Sequence, residues 1–380
     1  MPLTDLDPVA LPALGRQPLV SILITSFNYE RFIGEAIESV LEQTYRHIEV
    51  IVADDASTDG SCALVERYVQ DDARVTLLRA DENRGMAATT NAAYRASSGA
   101  ILCLLDADDR FRVDKVERVV DLFLTEPNAG FLLHALTVID AQGFAIQRIP
   151  LIPRFERGWI AQRTIERGGR MRDMPTSTLC FRREAADLVF PIPEEAFRRS
   201  ADGYVFTLMA LVTEVSAIDD PLAMYRVHTS NDFGVITRSR RSFETEKRFI
   251  ANQVEHVNRR IAERFGVSNA IALDRNLKHA LWALVLDLID GAGVSHLRRE
   301  HGTLPRMLFQ DDLYGPAHKV WWAALLAGAV VIPTRWRGRY FGTALGFRRT
   351  KQTLWEFVTR SSPRRKRARR SAAGVGSPRT

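Results

Sequence analysis

The chain has 380 residues, of which 46% are hydrophobic and 26% charged; these are ordinary globular values that exclude wholesale disorder. Arg335 to Thr380 holds fourteen Lys or Arg and one acid, a local +13 against a whole-chain +6, so the first 334 residues carry −7 and the basic character belongs to a tail. Cys62, Cys103 and Cys180 form no C-x-x-C pair, which argues against a cysteine zinc site or disulfide scaffold and suits a reducing compartment.

At about 150 residues per domain, this length predicts two domains or one large catalytic domain with an extension. Met1 to Pro18 contains four prolines and no basic start followed by an apolar run, so no signal peptide is expected. Leu19 to Thr25 is a short β-branched apolar run, the pattern of a buried strand. Ile33, Ala36, Ile37, Val40 and Leu41 then recur at helical spacing. Ile48 to Ala53 predicts a second strand and Asp59 to Val69 a second helix. Val75 to Leu78, Met86 to Ala96 and Ala100 to Leu105 continue the alternation. Such a series predicts an α/β fold, a mostly parallel Rossmann-like sheet flanked by helices and joined by right-handed crossovers.

Beyond that lie a strand near Phe131 to Ile139, a loop rich in Arg, Gly and Pro, a strand at Thr178 to Arg182 and a helix near Asp202 to Val212. Arg240 to Ile289 reads as helical, giving a helical C-terminal extension. The longest apolar run, Val320 to Ile332, has thirteen residues, short of the roughly 20 that span a bilayer. Arg335 to Tyr340 and Arg364 to Arg370 are basic, and the last ten residues have the composition of a disordered tail.

In open α/β sheets ligands bind beyond the carboxyl ends of the strands. Those positions hold Thr25-Ser-Phe-Asn-Tyr-Glu30, Asp54-Asp-Ala-Ser-Thr-Asp59 and Asp106-Ala-Asp-Asp109. Asp106 and Asp108 could hold a hard divalent cation through oxygen ligands, or form a solvated acidic turn before Val113. Ser57 to Asp59 suits the cap of the second helix. Asp54 and Asp55 exceed what a cap needs and could accept hydrogen bonds from a base or ribose.

Val20 to Asn28, Val52 to Asp59, Asn83-Arg-Gly85 with Asn91 and Gly99, and Leu105 to Asp109 together resemble the family 2 inverting glycosyltransferases, of GT-A type, in order and spacing. Weaker resemblance runs through Ala201-Asp-Gly203 and Pro221 to His228, so about 210 residues are covered. The resemblance implies a nucleotide-sugar donor, a UDP-sugar by expectation, and a Mg²⁺ or Mn²⁺ cofactor. By the same resemblance Thr25, Phe27 and Glu30 lie around the base and ribose, and Asp54 and Asp55 contact them. Arg84 falls near the base or phosphates, and Asp106 near the ribose. Asp108 is the implied metal ligand, with Asp106 and His228 beside it, and Asp202 aligns with the catalytic base. Thr176 to Thr178 falls where the family places an acceptor-side loop.

The sequence departs from the family at Phe27 (often Tyr), Ala56 (often Gly) and Ala201 (often Glu). Thr334-Arg-Trp336 lacks the Gln of the Q-x-x-R-W motif carried by processive members, which favours single-sugar transfer. Taken alone, Asp202 could be a helix N-cap and His228 a hydrogen-bonded structural histidine. A phospho-receiver is disfavoured because no convincing Lys follows a later strand and the D-x-D pair has no role in it, and a nucleotidyltransferase because the first loop is not Gly-rich. An inactive membrane adaptor on a transferase fold is the remaining rival.

The expected layout is an N-terminal arm (1–17), a catalytic domain (18–235), a helical extension (236–317), an apolar and basic membrane-facing segment (318–362) and a basic tail (363–380). The expected acceptor is a saccharide or lipid-linked hydroxyl, in bacterial polysaccharide or glycoconjugate synthesis. The expected place is cytoplasmic, peripheral on an anionic inner membrane face reached through the C-terminal extension, with no specific nucleic acid.

Overall fold

A computed structural model describes residues 6–149, 155–172, 174–228 and 239–346. The tail 363–380, residues 347–362 of the expected membrane-facing segment and most of the boundary near residue 235 lie outside them.

The alternating periods fold as read. Strands β1 (Val20–Ser26), β2 (Ile48–Asp54), β3 (Val75–Arg79) and β4 (Ile101–Asp106) are separated by helices α1 (Ile33–Leu41), α2 (Ser61–Asp71) and α3 (Met86–Ala96). Because successive strand side chains point to opposite faces, β1 divides its apolar residues between two cores. Val20, Ile22 and Ile24 join one, and Leu23 joins the other. Each fully buried aliphatic side chain contributes about 1.5–3 kcal/mol, which is why both faces must be covered.

The order β3-β2-β1-β4 is parallel throughout. The chain fills β1 before building outward in both directions, so the order reverses at β1 and β4. A crevice opens at such a switch point, beyond the carboxyl ends of the strands. The register sets Thr25 beside Asp106 and Ser26 beside Asp54, bringing the two acidic clusters to one sheet edge.

The second half of the sheet mixes directions. After β5 (Arg110–Phe111) and α4 (Lys115–Thr125) come β6 (Ala129–Ile139), β7 (Ala145–Ile149), α5 (Ala161–Glu166), a 3₁₀ turn at Thr176–Thr178, β8 (Cys180–Arg182), α6 (Arg183–Val189), α7 (Ala201–Val212) and β9 (Glu214–Arg226). β8 runs antiparallel between β4 and β6, while β6 and β9 are parallel. The loop read between Ile139 and Thr178 thus contains a short helix. The strand read from Thr178 starts at Cys180, because Thr176–Thr178 closes into a turn with Thr178 N–H bonded to Pro175 C=O at 2.9 Å. α2 starts at Ser61 instead of Asp59, since Asp59 Oδ1 is occupied in capping Ser61 N–H at 3.0 Å.

The remaining helices are α8 (Arg240–Phe265), α9 (Leu277–Ile289), α10 (Val294–His301), α11 (Leu304–Gln310), α12 (Pro316–Val331) and α13 (Thr334–Gly346). The chain divides into two compact units, one of Met1–His228, Lys247–Leu281 and Thr303–Gly315, the other of Thr229–Glu246, Trp282–Gly302 and Pro316–Thr380. In the first, Val254, Val257 and Ile261 of α8 join the core that holds α7. In the second, Trp322 is buried with its ring 5.9 Å from that of Trp282. Trp322 is therefore core, whereas Val320 and Val331 of the same helix stay exposed. Among the described residues no helix is long and apolar enough to cross a membrane.

Candidate active site

The loops after β1 and β2 are stitched together by side-chain-to-backbone bonds. Asn28 takes the left-handed backbone region at φ 60°, a conformation Asn tolerates better than most residues. There its Oδ1 accepts Thr58 N–H at 2.8 Å, while its own N–H donates to Ser57 Oγ at 2.8 Å. Glu30 Oε2 accepts Gly60 N–H at 2.9 Å, and Asp59 Oδ2 accepts Glu30 N–H at 3.1 Å. A Cβ on Gly60 would sit 2.5 Å from the Glu30 carboxylate, so a larger residue there would push that side chain aside. Phe27 stands at the mouth of this arm with 42% of its surface exposed.

Asp54 and Asp55 are both buried and fully engaged. Asp54 accepts Ser57 N–H at 2.7 Å and Ser57 O–H at 2.6 Å. Asp55 accepts Arg84 N–H and Gly85 N–H, each at 2.8 Å, and so offsets two free amides at the start of α3. Gly85 has φ 92°, and a Cβ there would meet the Arg198 carbonyl at 2.6 Å. Arg84 pairs with Glu194, on the segment that leads into α7. The structure thus gives Glu30, Asp54, Asp55 and Arg84 partners within the chain, though each carboxylate oxygen retains a further lone pair.

The other arm brings several carboxylates close together. Burial pushes the Asp106 carboxyl well above its ordinary range, reinforced by Asp108 and then Asp202, against a hydrogen bond from Thr176. Asp202 therefore lies close enough to sense the Asp106 charge. Asp109 is raised likewise by burial and by Asp108 and Asp106, against bonds from Ser177 O–H and Arg226 N–H. His228 Nε2 lies 2.9 Å from Asp108 Oδ2, and its ring packs 4.8 Å from Phe32. Asp202 is the second residue of α7; the N-cap is Ser200, at φ 54°, and no side chain caps it. Asp202 Oδ1 accepts Gly203 N–H at 3.0 Å. The N-cap reading of Asp202 does not hold, and an acid in the first turn is favoured there by the helix dipole.

Two site residues, Arg226 and Lys115, were not singled out from the sequence, and Ser177 was read only as part of the Thr176–Thr178 loop. Arg226, wholly buried, donates from Nε to Asp108 C=O at 2.7 Å and from Nη2 to Glu35 at 2.6 Å. Ser177 Oγ accepts Asp106 N–H at 3.0 Å and donates to Asp109 Oδ2 at 2.6 Å. Lys115 Nζ donates to Ser177 C=O at 2.8 Å. Arg226 had a sequence signal in its position two residues before His228 and Ser177 in the Thr176–Thr178 block, whereas Lys115 had none.

Among the described residues no three His, Cys, Asp or Glu side chains already form a metal-holding group. Mg²⁺ and Mn²⁺ sites of this type draw one or two carboxylates from the protein and the remaining oxygens from substrate phosphate and water. Asp106 and Asp108, two oxygen-donating side chains two residues apart at the end of β4, fit that demand.

The model of the family described as Glycosyl transferase family 2 matches residues 21–190. An uncharacterized glycosyltransferase of Nostoc sp. is 30% identical over 264 residues, covering 68% of this chain and 80% of the relative. The Escherichia coli UDP-Glc:alpha-D-GlcNAc-diphosphoundecaprenol beta-1,3-glucosyltransferase WfgD is 34% identical over 122 residues, 32% of this chain and 47% of its own length. Among solved structures, the mannosyltransferase PcManGT from Pyrobaculum calidifontis, in complex with GDP-Man and Mn²⁺, aligns at TM-score 0.48 and 18% identity over 93% of this chain and 92% of its own.

Proposed function

The chain belongs to glycosyl transferase family 2, and from that premise we propose that it moves one sugar from a UDP-sugar to a hydroxyl acceptor with inversion at the anomeric carbon. The observation that carries this reading is the meeting of Asp106, Asp108 and Asp202 at the β1–β4 switch point. Phe27 offers an exposed ring to the base. Thr25, Glu30, Asp54, Asp55 and Arg84 line or hold the donor arm, and Asp106 faces the ribose. Asp108 and Asp106, with His228 beside them, would hold Mg²⁺ or Mn²⁺. Such a cation supplies Lewis-acid charge that offsets the departing nucleoside diphosphate. Asp202 takes the proton of the acceptor hydroxyl as its oxygen bonds to the anomeric carbon and the bond to the diphosphate breaks. The residue types on both arms support this assignment of roles, and α7 delivers Asp202 on a rigid helix. The layout proposed is an N-terminal arm (1–17), a catalytic domain (18–235) and a helical extension (236–317), followed by a segment (318–362) and a tail (363–380) that face a membrane.

The test is transfer from a panel of UDP- and GDP-sugars to simple and lipid-linked saccharide acceptors, with the product anomer read by NMR. Inverted product from a UDP-sugar supports the reading, and retained configuration overturns it. Polysaccharide or glycoconjugate synthesis is the proposed setting, in keeping with the lipid-diphosphate acceptor in the name of the E. coli relative.

Peripheral docking on an anionic membrane is proposed for the second unit. Val320, Ala324, Ala327 and Val331 of α12 recur at helical spacing and are exposed, and exposed Arg335, Trp336 and Arg339 follow. An apolar stripe beside basic residues suits an anionic interface. Flotation with anionic vesicles should lose about tenfold in binding in V320D/V331D, with wild-type binding weakened by salt. Full-length protein that stays off anionic vesicles at low salt overturns docking.

A further inference from the structure

Lys115 is the first residue of α4, at the foot of the acidic loop, and it is completely buried. Removing an ammonium from water is expensive unless it is well partnered. Here Nζ stands 3.4 Å from the centre of the Phe111 ring and donates to Ser177 C=O at 2.8 Å. Ser177 is 62 residues away in sequence, so this bond ties the start of α4 to the 3₁₀ turn at Thr176–Thr178.

That turn is in direct contact with the acidic loop. Ser177 Oγ accepts Asp106 N–H at 3.0 Å and donates to Asp109 Oδ2 at 2.6 Å. The other Asp109 oxygen accepts Arg226 N–H at 2.8 Å, and Arg226 Nε donates to Asp108 C=O at 2.7 Å. Asp106 and Asp109 are thus fixed from one side by Ser177, and the Asp108 backbone from the other by Arg226. Directly after the turn, Leu179 C=O accepts Leu104 N–H at 3.0 Å, which lays the segment along β4. The Ser177 carbonyl points away from the loop and into the core, where Lys115 is its donor.

We propose that Lys115 is a positioning residue that acts through Ser177 to set the Asp106–Asp109 loop for a divalent cation and the diphosphate bound with it. This rests on the transferase reading above and extends it to a residue 7 positions beyond Asp108 that touches neither metal nor substrate. Groups that orient metal ligands in this indirect way typically change metal affinity by about 10–100-fold when removed. Methionine at position 115 keeps the length and apolar stem but leaves the Ser177 carbonyl without its donor. Alanine at position 177 removes the bonds to Asp106 and Asp109 directly.

The experiment uses full-length K115M, S177A and the double variant. UDP binding is measured by calorimetry with and without Mn²⁺, and amide hydrogen exchange of the metal-free proteins reports the Asp106 N–H. Each single variant should weaken UDP binding in Mn²⁺ by about 10–100-fold, with metal-free UDP binding changed less than about threefold. The double variant should bind no worse than the weaker single, because both act along one route. Asp106 N–H should exchange faster in both. A K115M protein that melts lower yet binds UDP with Mn²⁺ as wild type does makes Lys115 structural only and overturns the proposal. Additive losses in the double variant overturn the route through Ser177. Should K115M not fold, wild-type binding by S177A also overturns it. A wild-type protein that shows no Mn²⁺-dependent UDP binding counts against the transferase reading instead, and the metal-free exchange comparison then decides the positioning role.

Discussion

The two acidic clusters at the sheet edge look alike in sequence and behave differently in the fold. At Asp54 and Asp55 every carboxylate oxygen accepts a bond from a nearby N–H or O–H, and the chain uses these acids to tie the β2 loop to the starts of α2 and α3. At Asp106, Asp108 and Asp202 the carboxylates crowd one another, and burial pushes Asp106 up instead of down. A carboxylate satisfied by local amides stabilises architecture, whereas buried carboxylates that crowd one another favour a cation. Adjacency to a strand end does not distinguish the two cases; burial beside other carboxylates does.

The largest effect that would sharpen this contrast is at Asp108. D108N should nearly abolish transfer and weaken Mn²⁺-dependent nucleotide binding while leaving the melting temperature close to wild type. Metal-dependent turnover equal to wild type would show the second cluster to be architectural as well. Next, D202N should lower turnover by about 10²–10⁴-fold with nucleotide binding kept. If calorimetry finds nucleotide binding lost together with turnover, Asp202 serves the fold and the base lies elsewhere.

Substitution in the first cluster should register as stability. D55A leaves the buried Gly85 N–H and the part-buried Arg84 N–H without an acceptor and should cost about 1–3 kcal/mol, read by urea unfolding of the metal-free protein. No loss of stability there would break the comparison. The smallest expected effect has the opposite sign. Because the folded state raises the Asp106 pKa, it binds that proton more tightly than the unfolded chain does. Ionisation of Asp106 therefore costs stability as pH rises through its folded-state pKa, and the metal-free protein regains it on acidification. D106N should raise the melting temperature of metal-free protein at pH 8 by about 2–4 °C and gain nothing when excess Mn²⁺ is present. A fall in melting temperature at pH 8 without metal would mean that the carboxylate is stabilising where it sits.

Much of this could be read from residue order. The periods of 2 and 3.6 place β1 to β4 and α1 to α3 within a few residues, because each buried face repeats locally. Thr25, Asp54 and Asp106 fall at strand ends for the same reason, and the ligand-binding edge of the sheet follows from them. Errors of one or two residues arose where polar side chains competed with the helix, as Asp59 does in capping α2 at Ser61.

The sequence by itself determined the strand–helix alternation, the edge that carries the acids and the resemblance that joins four separated blocks. Tertiary structure alone decided which acids are consumed by amides, that Trp322 is core while Val320 and Val331 stay exposed, and that Lys115 and Ser177 meet beneath the acidic loop. Local patterns report how a segment buries its own face. Whether a carboxylate, an indole or an ammonium finds a partner depends on segments brought beside it from far along the chain, as Ser177 is brought to Lys115 from 62 residues away, and their register is set by the packing of the whole sheet.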